Sequence, residues 1–395
     1  MNVLLINATD DNGGGASRVA MDIFNGIKER GEKTTMFVGN KTSNNPEIHK
    51  INKPKWRSIA SHLLANDSKF FNTDKIIKTP EFTNADIVHA HNLHGWYFNL
   101  ETLQLISEQK PIVWTLHDMW AITPHCAYAF DTECQNGFFP CPSRQIYPSI
   151  LWPNEKYLMK QKRNYYLNTK MHLVTPSQWL ADKVSQSILN DKALTIIPNG
   201  IDTDIFAPQD QKEARKKLNL PINKKIVLFI AHGGLKNEFK GGIYVKEMAK
   251  RYMNNSEIIF VCAGGDKECQ YENIFERQSI NNKTTLREYY SSADVLLFPS
   301  TAENFPLVIL EAMACGLQIV AFDVGGVKEA IVSKEYGYLA MQKNIDDLYH
   351  GIDLLLTRSE AERSSSRLHC RNRAVTEYSL TTMVKRYINL YTSLL

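Results

Sequence analysis

Short apolar runs alternate with amphipathic helical stretches along most of the chain, a pattern typical of parallel β-sheets whose strands are joined by helices. The first half has predicted strands at Val3–Asn7, Thr34–Val38, Asp86–His91, Ile112–Leu116 and Met171–Pro176. The second half has them at Lys225–Ala231, Glu257–Ala263, Asp294–Pro299, Leu317–Phe322 and Tyr338–Leu339. Helical patterns lie between several strands, at Ala16–Glu29, Leu100–Gln109, Gly242–Tyr252, Pro306–Cys315, Val327–Val332 and Ile345–Leu356. The pattern predicts an α/β fold with two doubly wound parallel sheets.

The segment 196–208, IIPNGIDTDIFAP, separates the two halves. Its Pro, Asn, Asp and Gly residues favour a connection between sheets. We therefore predict an N-terminal domain at 1–195, a linker at 196–208 and a second domain at 209–378. Residues 379–395 have an amphipathic helical pattern, and we expect this helix to pack back on the first domain. Two facing sheets would form a cleft at the carboxyl ends of their strands, where ligands of such sheets bind.

Charge and cysteine content exclude several classes of protein. The chain has 46 basic and 42 acidic side chains, a balance that does not favour a dedicated nucleic-acid binder. Its seven cysteines are odd in number and unevenly spread, unlike a secreted disulfide framework. No signal peptide and no membrane-spanning run is predicted. We expect a cytoplasmic protein.

The segment Asp294–Val324 is the most informative for function. A predicted strand ends at Pro299, Glu303 follows in a loop, and Glu311 lies further along a helix whose first turn is predicted to hold Pro306. Unpaired amides at a helix N-terminus bind anions. The residues around this predicted anion site are Asn304, Phe305, Pro306, Leu307 and Val308. The spacing of the two carboxylates favours hydrogen bonds to two sets of hydroxyls, as in a nucleotide sugar with a diphosphate between them. A solvated carboxylate is the alternative for either glutamate, although apolar neighbours favour burial of Glu311.

These residues belong to the run PS-x-x-E-x-x-P-L-x-x-L-E-A-M-A-C-G, which closely resembles the signature of family 4 retaining glycosyltransferases. The resemblance covers nearly the whole chain and implies the GT-B fold, in which two Rossmann-like domains face each other. Its further motifs are Gly13–Gly15, DIVHAH at Asp86–His91, TLHD at Thr115–Asp118, TPS at Thr175–Ser177, IPNGID-x-x-x-F at Ile197–Phe206, KG at Lys240–Gly241 and GG at Gly325–Gly326.

The resemblance implies roles for single residues. Glu303 would contact the donor sugar, Glu311 would hold the ribose, and Lys240 would neutralise the diphosphate. His117 would reach the donor sugar from the first domain. The loop Gly13, Gly14 and Gly15 would let the backbone approach phosphate or acceptor. Without the resemblance, His89 and His91 are interpreted as paired core histidines.

The chain departs from this family where a second phosphate-binding arginine is usual, because Leu235 occupies that position. The candidates to replace the arginine are His232, Lys236 and the amides of Gly233 and Gly234. The departure also leaves open a non-catalytic sugar-nucleotide binder, beside a nucleotide-sugar epimerase or phosphorylase of the same fold. A hexosyl transfer from a nucleotide-diphosphate sugar to a saccharide or polyprenyl-linked saccharide is the preferred hypothesis. No metal or other cofactor is required by this layout.

Asp118–Ile150 is predicted to lack regular structure. Together with WTLHDMW, its cysteines resemble a subgroup that acts in bacterial surface-polysaccharide synthesis. Cys126, Cys134, Cys141 and His125 could bind a structural zinc ion or include a disulfide; unliganded thiols are the preferred interpretation.

The stretch Lys28–Lys78 contains eleven basic and five acidic side chains. Trp56, Ile59, Leu63, Leu64, Phe70 and Phe71 are interleaved with them. Such a stretch could lie on an anionic membrane surface, which would make the protein peripheral to the membrane. A solvated basic face over an ordinary core is the alternative.

Overall fold

A computed structural model describes residues 1–10, 13–280 and 282–395. Contacts between residues divide the chain into two compact units. The first unit contains Met1–Asn199 together with Met383–Leu395, and the second contains Gly200–Thr382. The chain passes from the first unit to the second within the segment 196–208.

The first unit is built on a seven-stranded sheet with the order β3-β2-β1-β4-β5-β6-β7, and each pair of neighbours is parallel. Its strands are β1 (Asn2–Thr9), β2 (Lys33–Asn40), β3 (Ile48–Lys50), β4 (Ile87–Ala90), β5 (Ile112–Thr115), β6 (His172–Thr175) and β7 (Ala193–Ile196). Its helices are α1 (Gly14–Glu29), α2 (Lys55–Leu63), α3 (Pro80–Asn84), α4 (Glu101–Ser107), α5 (Glu155–Leu167) and α6 (Gln178–Ser185). The five strands predicted in this half are confirmed.

The second unit also has a seven-stranded sheet, with the order β10-β11-β9-β8-β12-β13-β14. All neighbours are parallel except β10 and β11, which are antiparallel. The strands are β8 (Lys225–Ile230), β9 (Ile258–Gly265), β10 (Cys269–Tyr271), β11 (Ile274–Gln278), β12 (Val295–Phe298), β13 (Ile319–Phe322) and β14 (Gly337–Ala340). The helices are α7 (Gln211–Lys217), α8 (Gly242–Arg251), α9 (Lys283–Ser292), α10 (Leu307–Ala314), α11 (Val327–Ala330), α12 (Ile345–Leu356) and α13 (Glu360–Tyr378). The five strands predicted for the second half are confirmed, and with them the α/β class.

The last helix, α14 (Leu380–Leu394), packs into the first unit. Its buried Tyr387 and Tyr391 reach the central strands, where the Tyr387 hydroxyl lies 2.9 Å from Thr115 Oγ1 and the Tyr391 hydroxyl lies 2.7 Å from His89 Nδ1. A Cβ on Gly26 of α1 would lie 2.5 Å from Val384 Cγ2, so α14 and α1 are in close contact. The helix therefore completes the core of the first unit.

None of the helices among the described residues is both long and apolar enough to cross a bilayer.

Candidate functional site

Two loops of the second unit approach each other closely at the carboxyl ends of β8 and β12, which are neighbours in the sheet. Gly241 has a φ of 80°, and a Cβ there would lie 2.0 Å from the carbonyl oxygen of Pro299. Only glycine fits such a contact. The N–H of Thr301 donates to the carbonyl of Phe239 at 2.9 Å, and Ser300 Oγ lies 3.0 Å from the same carbonyl oxygen. The glycine and these contacts hold Lys240 beside the loop that carries Glu303.

An ion pair joins the two loops. Lys240 Nζ lies 2.5 Å from Glu303 Oε1, and Ser300 Oγ donates to the same carboxylate oxygen at 2.9 Å. The Glu303 side chain is 10% exposed and that of Lys240 is 36% exposed, so the pair is open to solvent on the lysine side. The carboxylate is thus fixed by two partners, and the ammonium can still reach a ligand.

Helix α10 begins one residue later than predicted. Pro306 has an extended conformation with ψ of 127° and is the residue that precedes the helix, so it does not lie in the first turn. Proline has no N–H to donate, so its position just before the helix costs the backbone no hydrogen bond. The Asn304 carbonyl accepts from Gly326 N at 2.9 Å, and the Phe305 ring packs against Tyr378 at 5.6 Å. These contacts fix the loop that leads into α10.

Glu311 is 1% exposed and therefore is not a solvated carboxylate. The hydroxyl of Tyr290, at the end of α9, donates to Glu311 Oε2 at 2.7 Å. The predicted burial of Glu311 with a partner is confirmed. Tyr290 was not predicted as a site residue.

The turn after β8 contains the residues that could replace the missing phosphate-binding arginine. Gly233 and Gly234 have φ of 81° and 56°, and a Cβ on Gly234 would lie 2.8 Å from the Cα of Gly265 in the neighbouring loop. Leu235 is buried, as its apolar side chain requires. Lys236 Nζ instead forms a solvent-exposed ion pair with Asp266 at 2.7 Å. His232 is exposed at the start of this turn.

The glycines after β1 differ from the loop expected from the sequence. Gly13 precedes α1, whereas Gly14 and Gly15 form its first turn. A Cβ on Gly13 would lie 2.0 Å from Thr9 Cγ2 and 2.2 Å from Ser17 Oγ, so the position cannot hold a larger residue without a shift. The glycines therefore allow α1 to begin directly against the end of β1.

Buried histidines line the carboxyl ends of β4 and β5. His91 Nδ1 lies 2.9 Å from His117 Nε2, and the second ring nitrogen of His91 is buried without a hydrogen-bond partner among the residues that the structure describes. Burial lowers the pKa of His117 to about 4, against an opposing effect of Asp118, so the ring is neutral at pH 7. His89 is bonded on both nitrogens, to Thr115 and Tyr391, which confirms its interpretation as a paired core histidine.

A buried histidine–aspartate pair in this unit was missed by the sequence analysis. His94 Nε2 lies 2.8 Å from Asp118 Oδ2, and Trp120 N donates to the other carboxylate oxygen at 2.9 Å. Burial would raise the pKa of Asp118, but the neighbouring His94 outweighs it and keeps that pKa below its usual value. His94 lies in an irregular segment after β4, so no periodic pattern marked it.

The cysteines of the irregular segment do not all come together. The backbone N–H of Cys126 donates to Cys141 Sγ at 3.1 Å, whereas Cys134 Sγ donates to the Gln186 carbonyl at 3.0 Å. Within the described ranges, no three His, Cys, Asp or Glu side chains are arranged to hold a metal ion. The geometry thus gives no support to a zinc site made of Cys126, Cys134, Cys141 and His125. The seven cysteines are free thiols.

Two family models match adjoining parts of the chain. The model described as "Glycosyltransferase Family 4" matches residues 13–205, and the model described as "Glycosyl transferases group 1" matches residues 210–374. WcaC of Escherichia coli, whose name assigns it provisionally to colanic acid biosynthesis as a glycosyl transferase, is 24% identical over 417 aligned positions that cover 100% of both chains. The N,N'-diacetylbacillosaminyl-diphospho-undecaprenol alpha-1,3-N-acetylgalactosaminyltransferase of Campylobacter jejuni is 31% identical over 51% of this chain and 55% of its own.

Solved structures with the same fold cover the whole chain. Sucrose-phosphate synthase from Thermosynechococcus elongatus has a TM-score of 0.72 at 16% identity, and the match covers 100% of this chain and 99% of that one. Anabaena HepE in complex with UDP has a TM-score of 0.68 at 15% identity, with 100% of both chains covered. The fold is therefore GT-B, as predicted.

Proposed function

We propose that this chain, which belongs to glycosyltransferase family 4, transfers a hexose from a nucleoside-diphosphate sugar to a saccharide or lipid-linked saccharide, with retention of anomeric configuration. The observation that carries this proposal is the Lys240–Glu303 ion pair, 2.5 Å long, next to the start of α10. It places a cation and a hydroxyl-binding carboxylate side by side, as a sugar joined to a diphosphate requires.

Three sets of residues in the second unit bind the three parts of the donor: its sugar, its diphosphate and its ribose. Glu303 accepts hydrogen bonds from sugar hydroxyls, and Ser300 keeps its carboxylate in place. Lys240 and the amides at the start of α10 neutralise the diphosphate, whose negative charge grows as the nucleotide leaves. Glu311 holds the ribose, and its bond from Tyr290 fixes the carboxylate. In this arrangement the protein itself offsets the negative charge of the phosphates, so no metal ion is required.

The missing arginine is replaced, in our proposal, by the turn after β8. The Gly234 N–H donates to the Ala231 carbonyl at 2.9 Å, so the amide of Gly233, in the same positive-φ turn, and the exposed His232 are the stronger candidates. Lys236 is held by Asp266 at the surface, which makes it the weaker candidate.

His117 is proposed to contact the transferred sugar, and the Gly13–Gly15 segment to take phosphate or acceptor. The low pKa of His117 supports this role, because a neutral imidazole can contact a sugar hydroxyl without bringing a charge into a buried site. The name of the Campylobacter relative includes a diphospho-undecaprenol acceptor, which supports a lipid-linked acceptor. HepE was solved with UDP, which makes UDP-sugars the first donors to test.

Nucleotide binding and turnover test the proposal together. A thermal shift panel with UDP, GDP, dTDP, ADP and CMP, with and without EDTA, should give a shift with one diphosphate that EDTA leaves unchanged. Lys240→Ala and Glu311→Ala should each reduce sugar transfer at least about 100-fold, the scale of losing one charge-stabilising group. Lys250→Ala, an exposed lysine of α8, is the matched control and should keep full activity.

Three results would contradict this assignment. Near-normal transfer by either variant would remove that residue from the site. Donor turnover without acceptor would favour an epimerase, and dependence on orthophosphate would favour a phosphorylase. Binding of a diphosphate without any turnover would favour a non-catalytic sugar-nucleotide binder.

A further inference from the structure

Helix α2 of the first unit turns an apolar stripe toward solvent. Trp56, Ile59 and Leu63 follow the i, i+3, i+7 spacing of one helix face. Their side chains are 63%, 59% and 62% exposed, and Ser61 is the residue of this helix that is buried. A surface helix normally faces such a stripe toward the core. Here the stripe faces outward.

A second segment extends this exposed apolar surface. Leu151 and Trp152 are 67% and 42% exposed, and Trp152 Nε1 donates to the Leu63 carbonyl at 2.9 Å. Asn154 Nδ2 donates to the carbonyl of the exposed Leu64 at 3.1 Å, so the two segments are fixed to each other. We define the α2 patch as Trp56, Ile59, Leu63, Leu64, Leu151 and Trp152. Single exposed apolar residues are ordinary, but a contiguous group marks an interaction surface.

The stretch of sequence that contains α2 has an excess of positive charge. The stretch Lys28–Lys78 has eleven basic and five acidic side chains, and Asp67 among the acids is buried. Lys55 begins α2 and is exposed, and the Arg57 guanidinium lies over the Trp56 ring at 4.8 Å. Tryptophan and aliphatic side chains among cations are the composition of helices that lie in the interface of an anionic bilayer.

We propose that the α2 patch docks on an anionic lipid surface, with Trp56, Ile59, Leu63 and Trp152 entering the headgroup region and the surrounding cations facing lipid phosphates. Burial of these apolar side chains in the bilayer interface adds a hydrophobic contribution to the electrostatic attraction between the cations and the lipid. The basic surroundings favour a lipid surface over a second copy of this chain, because two positive patches would repel each other.

A series of rings connects the α2 patch with the buried histidines. His62 of α2 stacks on Trp96 at 4.4 Å between ring centroids, and Trp96 meets Tyr147 at 5.8 Å. Tyr147 in turn meets His94, the partner of Asp118, at 5.4 Å. Aromatic faces suit the apolar faces of sugar rings. A lipid-linked acceptor held at the patch would thus present its saccharide to these rings, a step that rests on the proposed function, whereas the docking itself does not.

Vesicle binding tests the docking without any donor or acceptor. The full chain should co-sediment with phosphatidylcholine vesicles that contain phosphatidylglycerol, more weakly with phosphatidylcholine alone, and less as salt increases. The triple variant Trp56→Ser, Ile59→Ser, Leu63→Ser should bind the anionic vesicles at least about tenfold more weakly. The matched control, Ile243→Ser, Met253→Ser, Met341→Ser, changes three exposed apolar residues of the second unit and should bind as the parent does.

A charge variant guards against misfolding of the triple variant. Lys55→Glu keeps the apolar stripe and should weaken binding to anionic vesicles about tenfold while leaving binding to neutral vesicles unchanged. The docking is refuted if the parent ignores anionic vesicles, if both patch variants bind as the parent does, or if the parent dimerises and the triple variant does not. Nucleotide thermal shifts on the same variants separate the two proposals: a retained shift with lost vesicle binding supports docking, and a parent without any shift counts against the proposed function alone.

Discussion

Cys126 and Cys141 show how strongly the chemistry of a side chain depends on its neighbours. Burial alone would raise the pKa of the Cys141 thiol, but the contact with Cys126 and the neighbouring His125 outweigh it and lower that pKa to about 5. The same contact, together with burial, raises the pKa of Cys126. This contact therefore favours ionisation of Cys141 over ionisation of Cys126. The sequence marked both cysteines but did not indicate which one ionises.

Alkylation by iodoacetamide should detect this difference. Since the thiolate is the reactive form, the labelling rate of Cys141 should already be close to its plateau at pH 7. His125→Ala removes one stabilising partner, raises the pKa of Cys141 and should slow labelling at pH 7 roughly tenfold. Cys141→Ser is the control: the rapid labelling seen in the parent at pH 7 should be lost in this variant if Cys141 is its source. A labelling midpoint near the ordinary value of about 8.5 in the parent would contradict the inferred thiolate.

The candidate site was partly predictable at the level of residues. Glu303, Glu311 and Lys240 belong to short motifs, and the structure brings Glu303 and Lys240 into contact. Ser300 lies in the same motif and could have been inferred as a partner of Glu303. Tyr290 could not, because it is 21 positions from Glu311 in a different helix, and only the packing of α9 against α10 brings them together.

At the level of elements, the strands in the middle of the first sheet were predictable and its edge strands β3 and β7 were not; in the second sheet the edge strand β14 was predicted, whereas β10 and β11 were missed. β1 and β8 are continuous apolar runs because both faces of a central parallel strand are covered. β3 and β7 lie at the edges of their sheet, are short and keep exposed or half-buried residues, so they lack that pattern. The irregular segment after β5 was predicted correctly: between Asp118 and Ile150 the structure has one short 3-10 helix, Trp120–Ile122, in the described part of the chain.

Two glycine substitutions should separate backbone strain from steric contact at the turn before α8. Gly241 and Gly31 have nearly equal φ of 80° and 83°, but a Cβ on Gly31 meets no atom of the described part of the chain within 4 Å. Gly31→Ala should therefore lower the free energy of unfolding only by the strain of placing alanine in a left-handed conformation, about 1–2 kcal/mol. Gly241→Ala must also move the loop at Pro299, so it should destabilise the second unit further and reduce sugar transfer. Chemical denaturation and transfer assays on both variants measure this; equal losses of stability with unchanged transfer would contradict the inferred contact.

At the scale of the whole molecule, the first unit is discontinuous in sequence. The amphipathic pattern of residues 379–395 predicted a helix, which the structure confirms as α14. The hydroxyls of Tyr387 and Tyr391 join the buried polar groups of β4 and β5, so the helix does more than cover an apolar face. That pairing could not be inferred from the sequence, because the two partners are separated by 272 and 302 positions.

A fragment of residues 1–199 should fold poorly, because His89 and Thr115 lose their tyrosine partners and the surface under α14 is exposed. Unpaired buried polar groups cost about 1–3 kcal/mol each, which is large against the stability of a domain. A peptide of residues 380–395 added in trans should raise the melting temperature of the fragment. A peptide with Tyr387→Phe and Tyr391→Phe should do so less well. Cooperative unfolding of the fragment alone, unaffected by either peptide, would show that α14 is dispensable.

The discontinuity of the first unit also sets an order of events during synthesis. Residues 383–395 leave the ribosome only after the whole of residues 200–382, so the second unit can complete its sheet while the first still lacks a helix. Until then the surface of the first unit that α14 covers is open to chaperones and to neighbouring nascent chains. A slowly translated second unit would lengthen this exposure, and changes in codon usage there would alter the yield of a unit whose own codons are untouched.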